Sequence, residues 1–279
     1  MSAFVAMVRR RLAESRWFLG ISTVALFGLS WLFVYATARI EARMQQAGDA
    51  RSALRRAAFL RGIGGEAMDF SSPAIEVAFW NHPFIPLILA VWAVSRGSAA
   101  VAGELERGQL DLVLSRPVSR ASYLGAHVVS ALIGLAVLSG ALIAGNRSSS
   151  LYNTVHSPPG VLLLARPALN YAALGLAIYG YSVLLSALDS VRWRPNLLAS
   201  VLTLGGYIAL IVANIPALEE WYWKELEKVS IFKAYNPVDA VVNGETLGFH
   251  LLVLTGLGVA GIALAFLAFQ RRDLPASGG

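Results

Sequence analysis

The chain alternates long apolar windows with short polar segments. Six windows contain no Asp, Glu, Lys or Arg and are 19 to 26 residues long: 17–38, 77–95, 121–146, 167–188, 195–218 and 246–270. A helix needs about 20 mainly apolar residues to cross a bilayer. The second window reaches residue 103 when it includes one charged residue, Arg96. The pattern predicts an all-α polytopic membrane protein, a single transmembrane domain over residues 1–279. Its six transmembrane helices are predicted at 17–38, 77–103, 121–146, 167–188, 195–218 and 246–270.

The polar segments predict the topology and the elements outside the membrane. Segments 1–16, 104–120, 189–194 and 271–279 carry their arginines at a higher density than segments 39–76, 147–166 and 219–245. Because short Lys- and Arg-rich segments stay in the cytoplasm, the N- and C-termini are predicted to be cytoplasmic. Residues 1–16 show apolar positions on one helical face, which predicts an amphipathic interfacial helix before the first span.

The remaining segments are assigned to the outer side. Residues 39–76 are predicted to be an outer loop. Residues 219–245 contain the run Trp221, Tyr222 and Trp223, which is typical of a helix at the level of the lipid headgroups.

The composition excludes several classes of protein. Hydrophobic residues make up 56% of the chain and charged residues only 14%, against about 25% charged in soluble domains. The net charge of +6 is explained by the cytoplasmic flanks, so no nucleic-acid partner is expected. There is no cysteine, and the four histidines lie far apart, so no metal site is predicted. No G-x-x-x-x-G-K-[ST] sequence is present, which predicts that the chain binds no ATP or Mg²⁺ itself and is not an enzyme.

Two features of the apolar windows have competing interpretations. Gly256-Leu-Gly258-Val-Ala-Gly261 fits a dinucleotide motif, but inside an apolar span it favours close helix packing. Arg96 is a charge within a predicted span and is therefore a candidate functional residue. The preferred interpretation is that its side chain extends to the membrane interface, and pairing with Glu104 or Glu106 is the alternative.

The segment between the second and third spans carries the most informative pattern. Its apolar and charged residues fall on different helical faces, Pro117 ends that helix, and Ser119 is placed to cap the next one. A short amphipathic helix between two spans is suited to binding a soluble partner.

This segment resembles the signature of the ABC-2 type transporter permeases. That signature is roughly E-x-E-x-G-T-L-x-x-L-L-x-x-P-x-x-R, and Gln109 stands where threonine is usual. An N-P-x-D sequence before the last span and an F-x-R-R-D-L ending after it extend the resemblance over the whole chain. The structural positions of these motifs are occupied here by Gly108, Pro117, Arg120, Asn236, Pro237 and Asp239.

The resemblance implies a set of partners and contacts. Residues 104–120 would contain a cytoplasmic coupling helix that binds a separate ABC ATP-binding subunit, which would hold ATP and Mg²⁺. The implied contacts to that subunit are Glu104, Glu106, Arg107, Leu110, Asp111 and Leu114. Residues 219–245 would form outer re-entrant or extracellular helices. The complex would contain two permease chains, as a homodimer, and two ATPases.

The sequence therefore predicts the permease subunit of an exporter in the cytoplasmic (inner) membrane of a prokaryote. Its substrate would be hydrophobic or amphipathic: a lipid, a drug or a peptide. Two alternatives remain open. An ion-driven secondary transporter would require carboxylates within the spans, and a membrane-embedded enzyme or assembly factor would require clustered His or carboxylate side chains.

Overall fold

The regular structure of the described residues is entirely helical. The computed structural model describes residues 3–47, 75–110, 118–153, 158–215, 221–242 and 244–272. The α-helices are α1 Ala3–Ala47, α2 Ile75–Ala78, α3 Phe84–Ser98, α4 Ala102–Glu106, α5 Arg120–Tyr152, α6 Val161–Leu188, α7 Trp193–Ala213, α8 Trp221–Val229, α9 Pro237–Val242 and α10 Leu247–Arg271. Two 3-10 helices, Phe79–Asn81 and Ile231–Ala234, complete the described elements.

The helices agree with the apolar windows. Five of them, α1, α5, α6, α7 and α10, are long and apolar enough to cross a membrane, and the bent pair formed by Ile75–Asn81 and Phe84–Ser98 makes a sixth candidate. The predicted all-α architecture with several spans is confirmed. Several helices extend beyond the windows, since a helix does not have to end where its apolar residues end.

Helix α1 differs from the prediction. It runs without interruption from Ala3 to Ala47, so there is no boundary at residue 16 between an interfacial helix and a first span. The side chains near that position favour continuity. Arg10 and Arg11 both donate to Glu14, at distances of 2.8 and 2.9 Å, across one helical turn.

The second predicted span, 77–103, is broken rather than straight. Its two parts are bent by 50° at His82 and Pro83, where proline supplies no backbone N–H and interrupts the helical ladder. Two tyrosine hydroxyls bind carbonyl oxygens on either side of the bend. Tyr235 donates to Trp80 O at 2.7 Å, and Tyr171 donates to Ile85 O at 3.1 Å.

Helix α6 lies at the centre of the bundle and packs closely against α10. A Cβ atom added to Gly180 of α6 would lie 2.4 Å from the backbone oxygen of Gly258, and one added to Gly261 would lie 2.5 Å from the backbone of Gly180. The packing interpretation of the glycine-rich sequence is therefore confirmed. The contact uses Gly258, Gly261 and Ala265, whereas Gly256 is on the open side of α10.

Helix α1 packs against α5 in a similar way. A Cβ atom on Gly145 would meet Phe27 O at 2.3 Å, and Ser30 Oγ donates to Leu142 O at 2.9 Å. We call the end of the bundle that contains Arg11, Glu104 and Arg120 the proximal end, and the end that contains Trp80 and Tyr235 the distal end. The distal end also carries α8 and α9, so the helices predicted within 219–245 are present.

Candidate functional site

A buried ion-pair cluster joins three helices at the proximal end. Arg11 of α1 lies 3.0 Å from a carboxylate oxygen of Glu104 in α4. Arg107 also pairs with Glu104, and the Arg11 guanidinium lies 5.4 Å from the ring centroid of Tyr123 in α5. Glu104 is only 1% exposed. Because a buried charge is stable only when paired and hydrogen-bonded, this cluster fixes α4 against α1 and α5.

The predicted coupling helix is interrupted within the described part of the segment. Helix α4 ends at Glu106, and Gly108 has a φ of +64°. Only glycine adopts this left-handed conformation without strain, which explains the glycine in the E-x-E-x-G pattern. The predicted single helix from residue 104 is therefore wrong at this point.

The predicted partner contacts fall into different environments. Glu106 and Arg107 are exposed, whereas Glu104 and Leu110 are buried within the chain itself. The direct contacts predicted for Glu104 and Leu110 are not available in this conformation, because neither side chain reaches the surface. Asp111, Leu114 and Pro117 lie outside the described residues.

Glu106 connects α4 to the start of α7. Its Oε2 atom accepts a hydrogen bond of 3.1 Å from the backbone N–H of Arg192. Ser186 of α6 stabilises the break between α3 and α4: its hydroxyl accepts from the backbone N–H groups of Val101 and Ala102 and donates to Ser98 O. The segment around α4 is thus hydrogen-bonded both to α6 and to the residue before α7.

Arg120 binds the C-terminal end of the last helix. Its Nη1 atom donates to the carbonyl oxygens of Phe269 and Gln270, both at 3.1 Å, and of Arg272 at 2.6 Å. Arg272 in turn donates to Ala187 O and Asp189 O at the end of α6, at 2.9 and 2.8 Å. Arginines near a helix C-terminus bind its unsatisfied carbonyls and favour its dipole. At the start of α5, Ser119 accepts from Ser122 N, as predicted for a helix cap.

The N-P-x-D sequence forms a helix start at the distal end. Asn236 Oδ1 accepts from the backbone N–H of Asp239 at 3.1 Å, and Pro237 occupies the first position of α9. This is the arrangement expected of an N-cap residue followed by proline. Asn170 of α6 accepts from Asn236 N at 3.0 Å and donates to Ala234 O at 2.8 Å, which fixes the segment to the bundle.

Arg96 faces a polar cavity of about 530 Å³ at the proximal end. Neither Glu104 nor Glu106 pairs with it, because Glu104 binds Arg11 and Arg107 while Glu106 binds Arg192 N. The alternative pairing considered for Arg96 is therefore wrong within the described part of the chain. Across the same residues, no group of three His, Cys, Asp or Glu side chains is arranged to hold a metal ion.

A larger apolar groove of about 700 Å³ runs between α3 and α7. Glu106 and Arg192 line its proximal part, and Tyr207 and Phe232 line its distal part. The walls between them are mainly apolar side chains, including Leu87, Val91, Val94 and Leu204. The groove therefore extends along much of the length of two candidate spans.

Several residues at these sites are not identified by sequence reasoning. The sequence identifies Arg11 and Arg192 only as topology signals, and His127 only as a histidine within an apolar window. Tyr123 and Ser186 give no signal, because their partners are distant in the sequence. Only the three-dimensional packing brings these side chains together.

The comparisons with known proteins agree with this architecture. A family model described as ABC-2 family transporter protein matches residues 9–274. The match includes every described transmembrane candidate apart from the first turns of α1. No curated protein matches the chain.

Proposed function

Because the chain belongs to the ABC-2 transporter family, we propose that it is the permease subunit of an ATP-binding cassette exporter. Members of this family are components of membrane transport, and a helical bundle with several candidate membrane spans fits that role. The proposed location is the cytoplasmic membrane of a prokaryote, with the proximal end in the cytoplasm. The proposed substrate is hydrophobic or amphipathic: a lipid, a drug or a peptide.

The observation that carries the proposal is the position of Glu106. This residue is exposed in the segment proposed to bind the ATPase, it accepts a hydrogen bond from the backbone of Arg192 immediately before α7, and it lines the apolar groove. A force applied to the segment by a partner would therefore reach the wall of the groove directly. ATP binding in the partner would shift the populations of two groove conformations, since the partner would bind one of them better.

The exposed apolar side chains of α7 support the proposal that a second copy of the chain binds there. Helix α7 is the least buried of the five long candidate spans, and its exposed side chains include Leu197, Val201 and Ile208. Two copies that meet along α7 would enclose the groove between them. The proposed assembly is a permease homodimer with two ATPases, surrounded by membrane lipid.

The proposal is tested by purifying the chain from its native membrane in a mild detergent and identifying the co-purifying proteins by mass spectrometry. We expect a stoichiometric P-loop ATPase. Glu106→Arg should reduce the amount of ATPase recovered several-fold while the chain still inserts, because it reverses an exposed charge in the proposed contact.

Glu225→Arg is the matched control, since it reverses an exposed charge on α8 at the distal end. The ATPase yield of this variant should equal that of the wild type. A homo-oligomer without an ATPase would contradict the proposed function. Full ATPase recovery with Glu106→Arg would contradict the assignment of the contact.

A further inference from the structure

The polar cavity at the proximal end carries an excess of positive charge. Five arginines line it: Arg10, Arg11, Arg96, Arg107 and Arg192. Its acidic residues are two, Glu14 and Glu104. These carboxylates pair with Arg10, Arg11 and Arg107. No described carboxylate forms an ion pair with the guanidinium group of either of the other two arginines.

Three side chains in this cavity have hydrogen-bonding capacity to spare. Arg96 forms no hydrogen bond with the residues that the structure describes, and Arg192 directs its Nη2 atom only to Ser95. His127 is 4% exposed, and its Nε2 atom has no partner in the described ranges. Leaving buried polar groups and charges without partners is costly. These donors around one cavity are matched by an anion with several acceptor oxygens.

The polar cavity adjoins the apolar groove. Phe18, Ser95 and Arg192 line both spaces. A ligand that fills both must therefore have an anionic head and an apolar tail. A free inorganic anion uses only the polar cavity.

We propose that the two spaces together bind an acidic phospholipid, with its phosphate between Arg96, Arg192 and His127 and an acyl chain in the groove. This inference rests on the proposed function, because it assigns a class of substrate to the same groove. The phosphate oxygens accept hydrogen bonds from the two guanidiniums, and the acyl chain replaces water along the apolar walls. Arg96 thereby acts as a headgroup ligand at the edge of the membrane.

The test is lipid binding by the purified chain in mild detergent, measured as thermal stabilisation at increasing ligand concentration. The probes are phosphatidate, phosphatidylcholine with the same acyl chains, and inorganic phosphate. We expect at least tenfold tighter binding of phosphatidate than of phosphatidylcholine. Arg96→Gln and Arg192→Gln should each weaken phosphatidate binding about tenfold, as expected for a lost charged hydrogen bond.

Arg9→Gln is the matched control, because it removes an exposed arginine of α1 outside the cavity. It should leave phosphatidate binding unchanged. Equal binding of the two lipids, or equal weakening by Arg9→Gln and Arg96→Gln, would overturn the proposal. Equal stabilisation by inorganic phosphate and phosphatidate would also overturn it, since the cavity would then be a site for a free anion.

The same variants separate this inference from the proposed function. ATPase recovery is measured in parallel for Arg96→Gln and for the wild type. If the ATPase co-purifies but phosphatidate is not preferred, the lipid assignment fails and the permease proposal stands. If phosphatidate is preferred and no ATPase is recovered, the permease proposal fails.

Discussion

Glu104 shows how burial changes the role of a motif residue. In the sequence it belongs to a charged face suited to a partner, but in the structure it lies between Arg11 and Arg107 and is 1% exposed. Its contribution is therefore to hold α4 in place. The neighbouring Glu106 is exposed and is hydrogen-bonded to the residue before α7, so it is the side chain through which a bound partner would act on α7.

Glu104→Gln should destabilise the protein strongly. The amide keeps the shape of the side chain but leaves Arg11 without its buried carboxylate, and removing one partner of such a pair costs about 3–5 kcal/mol. We expect a clear fall in the thermal unfolding temperature in detergent.

Glu225→Gln provides the comparison for this prediction. Glu225 pairs with Lys228 at 2.7 Å, but the side chains are 50% and 67% exposed. Exposed pairs contribute about 0–1 kcal/mol, so the unfolding temperature should change little. Similar effects of Glu104→Gln and Glu225→Gln would show that the buried cluster does not stabilise the fold.

At the scale of elements, the contact between α6 and α10 depends on glycines. The Cβ atom of a residue at position 258 would lie 2.7 Å from the backbone oxygen of Leu176. Gly256, two residues earlier in the same helix, has no atom within 4 Å of the corresponding position. Nearly equal sequence positions therefore face very different packing.

Gly258→Val should destabilise the bundle by about 1–3 kcal/mol or more, because overpacking forces the two helices apart. Gly256→Val has the same change in helix propensity and should leave the unfolding temperature within a few degrees of the wild type. Thermal unfolding of both variants in one detergent measures the difference. A larger effect at position 256 would contradict the described packing of α10.

The sequence predicts the elements better than their junctions. Apolar windows identify the long helices, because length and hydrophobicity are local properties. At the bend at Pro83, the hydrogen bonds of Tyr171 and Tyr235 to either side are tertiary contacts that no local pattern reveals. The sequence shows the glycine at position 108. That this residue is left-handed and interrupts the predicted coupling helix is apparent only from the backbone.

At the scale of the whole molecule, the membrane topology remains a prediction. The chain contains no cysteine, so single cysteines are specific labels. With a membrane-impermeant thiol reagent, Glu225→Cys should react in intact cells, and Arg9→Cys should react only after the membrane is opened. Both residues lie on exposed helical surface. Labelling of Arg9→Cys in intact cells would reverse the proposed orientation.

The arginines at the helix ends join some helices of the bundle and leave another outside their hydrogen bonds. Arg120 fastens the start of α5 to the end of α10, and Arg272 fastens that end to the end of α6. Because these hydrogen bonds join three helix termini, α5, α6 and α10 are held together at the proximal end. Helix α7 is outside this clamp and touches the segment around Glu106. Under the proposed coupling through Glu106, we therefore expect α7 to tilt against these three helices, with Arg192, immediately before α7, as the pivot.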